Sequence, residues 1–275
     1  MSNDELPLWG GDWTERKLGI LAAYLKAYNT ALKNAPFVRV YIDAFAGTGY
    51  RQRSRKPMGY PDIFQDVEEA ESQEFLKGSA KLALEVVPPF HEYVFVESDA
   101  AKIAELESLK NLHPDKAGAV EIVQEDANAY VQQYCKNMPA NKRAVVFLDP
   151  FATQVEWTTI EAIARTKAMD VWILFPLMAV NRLLANDPTK AFRAPLDRLF
   201  GTQEWFEKFY RTCHEDDIFG QSYDTVQKVC SFDGIGKFYH DRLKGIFAEV
   251  APKTRVFRNS RRSCLLYTSP SPRDS

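Results

Sequence analysis

Residues 37–49 read FVRVYIDAFAGTG. The first half is dense in Val, Ile and aromatic side chains, the composition of a strand buried on both faces. The second half gives up bulk for two glycines with small neighbours. Such a stretch is either a tight turn or a backbone cleared of side chains so that a ligand can lie against it. Gly47 and Gly49 suit both, because glycine takes positive φ without steric cost.

The pattern on either side of this strand sets the fold class. Upstream, TERKLGILAAYLKAYNTALKN carries Leu18, Leu21, Leu25, Tyr28 and Leu32 at helical spacing, which predicts a helix over 14–34. Downstream, residues 50–77 form a long insertion of weak pattern, basic first (YRQRSRK) and acidic later (DVEEAESQE). Helical and strand-like segments then alternate: GSAKLALEVV, EYVFVE, DAAKIAELESLK, AVEIVQED, NAYVQQYCK, RAVVFLDP, TTIEAIARTK and MDVWILFPL. This rhythm predicts an α/β fold, a Rossmann-like, doubly wound and mostly parallel sheet over residues 1–180. Residues 181–263 read as a helical C-terminal region, with TRVFRNS as a last strand. Back-translated, Cys264–Asp274 matches a transposon-end adaptor of DNA sequencing libraries. Residues 264–275 are therefore set aside as an adaptor-derived, non-native tail, and the natural chain is expected to continue beyond about Ser263.

Composition excludes several classes. The 275 residues carry 35 Lys and Arg against 37 Asp and Glu, a net charge of −2, so no global field advertises a nucleic-acid partner. The four cysteines form no C-x-x-C pair and the four histidines show no ligand spacing, so no metal site is expected. Free thiols suit a reducing cytoplasm. No apolar run is long enough to span a bilayer and no signal pattern opens the chain, which argues for a cytoplasmic protein without membrane contact.

In doubly wound sheets, ligands bind outside the carboxyl ends of the strands. Four successive ends finish on a glycine loop or a carboxylate. DAFAGTG supplies Asp43, Phe45, Gly47 and Gly49; VFVESD supplies Glu97; QEDAN supplies Asp126; FLDPF supplies Asp149, Pro150 and Phe151. A carboxylate at Glu97 can accept from both hydroxyls of a ribose, and one at Asp126 from an exocyclic amine such as that of adenine. Asp also caps helices just after strands, so capping competes at each single position.

The order DAFAGTG, VFVESD, QEDAN, FLDPF resembles the class I S-adenosylmethionine-dependent methyltransferases. More narrowly, ERKLGILAAYL, YIDAFAGTGYR, GSAKLAL, FVESD, FLDPFATQVEW and LFPLMAVNR resemble the three-Cys-motif partner proteins of bacteria and phages, over about residues 13 to 250. A more distant likeness is to the ribosomal-RNA adenine-N6 methyltransferases, which place a Lys-bearing helix before the glycine strand and an Asp-Pro-Pro-Tyr motif later. The resemblance implies a Rossmann-like methyltransferase fold, S-adenosylmethionine as cofactor and a partner protein with three cysteines. It does not supply a physiological substrate.

The departures mark where the resemblance stops. Asp149, Pro150 and Phe151 stand where Asp-Pro-Pro-Tyr would, so the second proline is missing and the aromatic arrives one residue early. Stacking a base on such an aromatic contributes about 1–3 kcal/mol, but Phe151 serves equally well as core. Lys17, one helix before the glycine strand, is placed either near a cofactor carboxylate or on a solvated helix face. Arg51, Arg53, Arg55 and Lys56 follow the glycine loop as phosphate contacts or as an ordinary solvated loop. KTRVFRNSRR adds Arg255, Arg258, Arg261 and Arg262, expected to face the same opening as Asp149. Three functions compete: a methyltransferase acting on RNA or DNA, a non-catalytic partner protein that keeps the fold, and a nicotinamide-dependent oxidoreductase. The last is disfavoured, since the long insertion separates the glycines from the helix that would receive a pyrophosphate.

Overall fold

The computed structural model describes residues 11–46, 78–216, 221–252, 255–258 and 263–269. Helix α1 (Gly11–Ala31) leads into β1 (Val38–Asp43), and the described part of α2 covers 78–85. Alternation follows: β2 (Glu92–Glu97), α3 (Ala100–Asn111), β3 (Val120–Gln124), α4 (Ala127–Asn137), β4 (Lys142–Leu148), α5 (Trp157–Thr166) and β5 (Met169–Phe175). Further helices come next in the chain, α6 (Leu177–Leu183), α7 (Arg193–Phe200), α8 (Glu204–Phe209) and, after a hairpin, α9 (Phe232–Lys244). The hairpin is β6 (Tyr210–Asp216) with β7 (Ser222–Lys228), and β8 (Arg255–Arg258) and β9 (Ser263–Ser269) complete the described elements.

The main sheet has seven strands in the order β3-β2-β1-β4-β5-β9-β8. The first five are parallel, β9 runs antiparallel to β5, and β8 antiparallel to β9. This is the doubly wound, Rossmann-like α/β fold that the alternation predicts. Its central strands are largely apolar because helices cover both faces: every residue of β5 is buried, as are the last five of β1 and β4. One face packs Tyr41, Tyr93, Phe95, Phe147 and Trp172 against Leu21, Leu25 and Tyr28 of α1 and Ala80, Ala83 and Leu84 of α2. The other packs Val40, Ile42, Val94, Val146, Ile173 and Phe175 under α4 to α9. The winding reverses between β1 and β4, and crevices at such a switch point are where ligands bind.

The C-terminal third departs from its sequence reading in two places. Residues 210–228 fall within the region read as helical, whereas the structure forms the β6–β7 hairpin there. Its strand β7 is largely exposed, so no apolar stripe marks it in the sequence. Sequence reasoning also leaves residues 264–275 out of the fold, whereas Ser263–Ser269 form β9 in the sheet. Leu265, Leu266 and Tyr267 are buried there, and the Tyr267 hydroxyl donates to the Gly236 carbonyl at 2.7 Å. Gly236 of α9 faces this strand closely: a Cβ at that position would lie 2.5 Å from the Leu265 Cδ1, so the leucine side chain would have to turn aside. Helices α6 to α9 share the core of the sheet through Leu183, Phe200, Trp205 and Tyr239. No helix among the described residues is long and apolar enough to cross a membrane.

Candidate functional site

A cleft of about 320 Å³ opens at the carboxyl edge of the sheet. Ala44 and Phe45 after β1, Glu97 and Ser98 at the end of β2, and Glu125 and Asp126 after β3 form one side. Thr153, Gln154 and Glu156 from the β4–α5 connection form the other, and Arg198 of α7 reaches its rim. Of the residues expected from the sequence, Phe45, Glu97 and Asp126 therefore meet in one site.

Glu97 has the most informative geometry. Its Oε1 accepts from the backbone N–H groups of Ser98 (2.7 Å) and Asp99 (2.8 Å) and from the Ser98 hydroxyl (3.3 Å). Its Oε2 is buried with no hydrogen-bond partner. Desolvation raises the carboxyl pKa, while the two backbone donors oppose that rise. A buried acceptor without a donor is costly, and a ligand hydroxyl would remove that cost. The turn that fixes Oε1 thus leaves Oε2 without a donor among the described residues.

Asp126 caps α4, its Oδ1 accepting from the Ala129 N–H at 3.0 Å, so the capping reading holds at this position while the residue still lines the cleft. Beside it stands Asn128, which sequence reasoning did not single out. Its Nδ2 donates to the Gln154 carbonyl at 2.9 Å; its Oδ1 accepts from the Glu156 N–H at 3.0 Å and the Thr159 hydroxyl at 2.8 Å. Gln154 in turn accepts from the Phe151 N–H through Oε1 at 2.9 Å. The start of α4 and the β4–α5 connection are thereby joined into one rigid wall. Ala152 in this connection has a φ of 51°, a left-handed conformation that costs a non-glycine residue about 1 kcal/mol or more. Phe151 is half-buried and packs against the core of the α4–α9 face, which favours its structural reading.

Asp43, Lys17 and Asp149 form a second group, at the β1 and β4 tips where the winding reverses. Lys17 Nζ lies 3.8 Å from Asp149 Oδ2; Lys17 is 6% exposed and Asp149 18%. The solvated-face reading of Lys17 is therefore corrected: α1 turns this side chain inward, on the same helix face as Leu21 and Leu25. Asp43 is wholly buried; its Oδ2 accepts from the Ser79 hydroxyl at 2.8 Å and its Oδ1 from the Phe45 N–H at 3.4 Å. Burial pushes its pKa up from 3.8 to about 7, against the pull of those hydrogen bonds and with a smaller push from the charge of Asp149. Asp43 is thus held by groups of the protein itself and is not among the residues that line the cleft.

Gly47, Gly49, Arg51, Arg53, Arg55 and Lys56 lie outside the described residues, as do Arg261 and Arg262. The strand β8 that carries Arg255 and Arg258 is the sheet edge, with β9 and β5 between it and β4. Among the described residues no cluster of three or more His, Cys, Asp and Glu side chains has a metal-binding arrangement.

No family model matches the chain, and no curated protein matches it. Among solved structures it is similar to protein LPL1258 from Legionella pneumophila, with a TM-score of 0.50 and 11% identity over 96% of this chain and 88% of that one. At that identity the likeness is one of fold. Weaker superpositions include the putative methyltransferase yhhF from Escherichia coli (TM-score 0.33, 13% identity, 99% and 92% covered). Another is M. jannaschii TYW2 in complex with AdoMet (TM-score 0.36, 7% identity, 96% and 77% covered). At such scores they describe those proteins and carry no argument for this one.

Proposed function

We propose that the chain is an S-adenosylmethionine-dependent methyltransferase, with the cleft at the β2, β3 and β4 tips holding the adenosine half of the cofactor. The observation that carries this reading is Glu97, which lines the cleft at the end of β2 and whose buried Oε2 has no partner among the described residues. A ribose diol supplies the donors it lacks. Asp126 and Asn128 border the same space and suit the polar edge of a purine. The sequence order of the strand-tip motifs agrees with a methyltransferase of class I.

The cofactor would supply an activated methyl group on a sulfonium, and the rest of the chemistry asks for positioning. Holding an acceptor in line with the leaving sulfur contributes up to about 7–11 kcal/mol in well-aligned intramolecular reactions. Asp149, at the β4 tip beside the winding switch and ion-paired with Lys17, is the group that would accept a hydrogen bond from an acceptor amine. An acceptor amine on RNA or DNA, met by the basic segment after β1, and a three-Cys-motif protein as partner extend the same proposal.

Calorimetric titration of the full chain with S-adenosylhomocysteine tests it. Binding that is weakened in Glu97→Ala, with the folded state intact by circular dichroism, is the expected result. No binding to the wild-type protein would remove the reading. Labelled methyl transfer to RNA, DNA and protein pools, with and without the partner, then separates an enzyme from a partner protein that only keeps the fold.

A further inference from the structure

Arg198 is the one positively charged side chain among the described residues that line the cleft, beside Glu97, Glu125, Asp126 and Glu156. It is exposed, and it makes no hydrogen bond or ion pair with any of those carboxylates or with another described residue. Its backbone is firmly held. Leu196, Leu199 and Phe200 on the same helix are buried, and the neighbouring Asp197 accepts from the Trp205 indole N–H at 2.7 Å. Gly201 ends α7 in the left-handed region at a φ of 63°, and Arg242 Nε donates to the Phe200 carbonyl at 3.1 Å. A guanidinium is thus carried on a rigid base to the rim of a cleft and left there without a partner.

We infer that Arg198 is a specificity-determining residue of this cleft, laying its planar guanidinium on the face of the adenine that the cleft receives. The inference rests on the proposed reading of the cleft as an adenosine site. Two observations favour a base over an acceptor phosphate. Asp149 and Lys17, beside which a methyl acceptor must arrive, do not line the cleft, so Arg198 borders the adenosine half alone. Four carboxylates around the same space would also repel an incoming phosphate, whereas a neutral purine meets no such penalty. A guanidinium stacks on an aromatic face through its flat, weakly hydrated surface, which a lysine ammonium does not offer.

The test compares wild type, Arg198→Ala and Arg198→Lys by calorimetry with S-adenosylhomocysteine and with adenosine alone. The expected result is about a tenfold loss of affinity in Arg198→Ala, the same for both ligands, with Arg198→Lys recovering little of it. Equal affinity of wild type and Arg198→Ala would overturn the inference and leave the adenosine reading standing. So would a loss confined to S-adenosylhomocysteine, which would place Arg198 at the amino-acid end, or full rescue by lysine, which would make it a point charge. Failure of the wild-type protein to bind either ligand would overturn the adenosine reading itself, and this inference with it.

Discussion

At the β2 tip, Glu97 keeps one carboxylate oxygen buried without a donor, while at the β1 and β4 tips Asp43 and Asp149 are met by groups of the protein itself. All three occupy the same topological position, the carboxyl end of a parallel strand. They differ in what stands opposite them. Ser79 at the start of α2 satisfies Asp43, and Lys17 of α1 faces Asp149, because both helices pack on the face toward which those side chains turn. Glu97 is held by its own turn through Oε1, lines the cleft, and keeps Oε2 without a donor among the described residues. A strand-tip carboxylate answered from within organises the site, and one left unanswered is where a ligand's donor belongs.

The largest effect that would sharpen this contrast is expected at Lys17. Lys17→Met leaves Asp149 without its ammonium partner at a site only 18% exposed, and should lower the unfolding free energy in urea by about 2–3 kcal/mol. Lys17→Arg should restore most of it. A neutral Lys17→Met would mean that the two groups are close without being coupled.

Glu97 should show the reverse profile, with function lost and stability kept. Removing an acceptor that takes charge-assisted hydrogen bonds from a ligand costs about 1.5–3 kcal/mol, or about 10–150-fold in affinity for S-adenosylhomocysteine. Because burial raises the Glu97 pKa, binding through its ionised form should weaken as pH falls, beginning above the ordinary glutamate range. A pH-independent affinity would break the assignment.

Asp43 gives a pH signature of stability instead. Its carboxyl titrates at about 7 when folded against 3.8 as its ordinary value, so the folded state keeps a proton that the unfolded state releases in between. Through that window Asp43 makes stability fall as pH rises, at up to about 1.4 kcal/mol per pH unit, and the loss is complete above pH 7. Asp43→Asn, which keeps an acceptor for Ser79, should therefore gain on wild type between about pH 4 and 7. Parallel stability profiles would show that the buried carboxyl is not the titrating group.

The smallest effect is expected at Asp126, which belongs to both kinds. Asp126→Ala removes the α4 cap and should cost about 1 kcal/mol of stability. Its effect on S-adenosylhomocysteine affinity should be weaker than that of Glu97→Ala. A larger loss of affinity at Asp126 would move the ligand's main anchor from the β2 tip to the β3 tip.

The sequence alone determined the order of strands and helices as far as β5, because β1, β2, β4 and β5 are buried on both faces and must read as largely apolar runs between helical stripes. It also placed Glu97, Asp126 and Asp149 at strand ends, since each apolar run gives way there to polar residues. It could not show which carboxylates are answered. Ser79 lies 36 residues from Asp43 along the chain and Asn128 lies 26 from Gln154. Such partners are chosen by packing on a shared face, which no local pattern encodes. Arg198 was illegible for the same reason, as one charged residue on a helix otherwise read for its apolar side. The hairpin β6–β7 escaped because its exposed strand has no buried face to impose alternation, and β9 because the segment that forms it was set aside as an adaptor-derived tail. Tertiary structure decided what the strand tips face; the pattern of burial had already decided where they are.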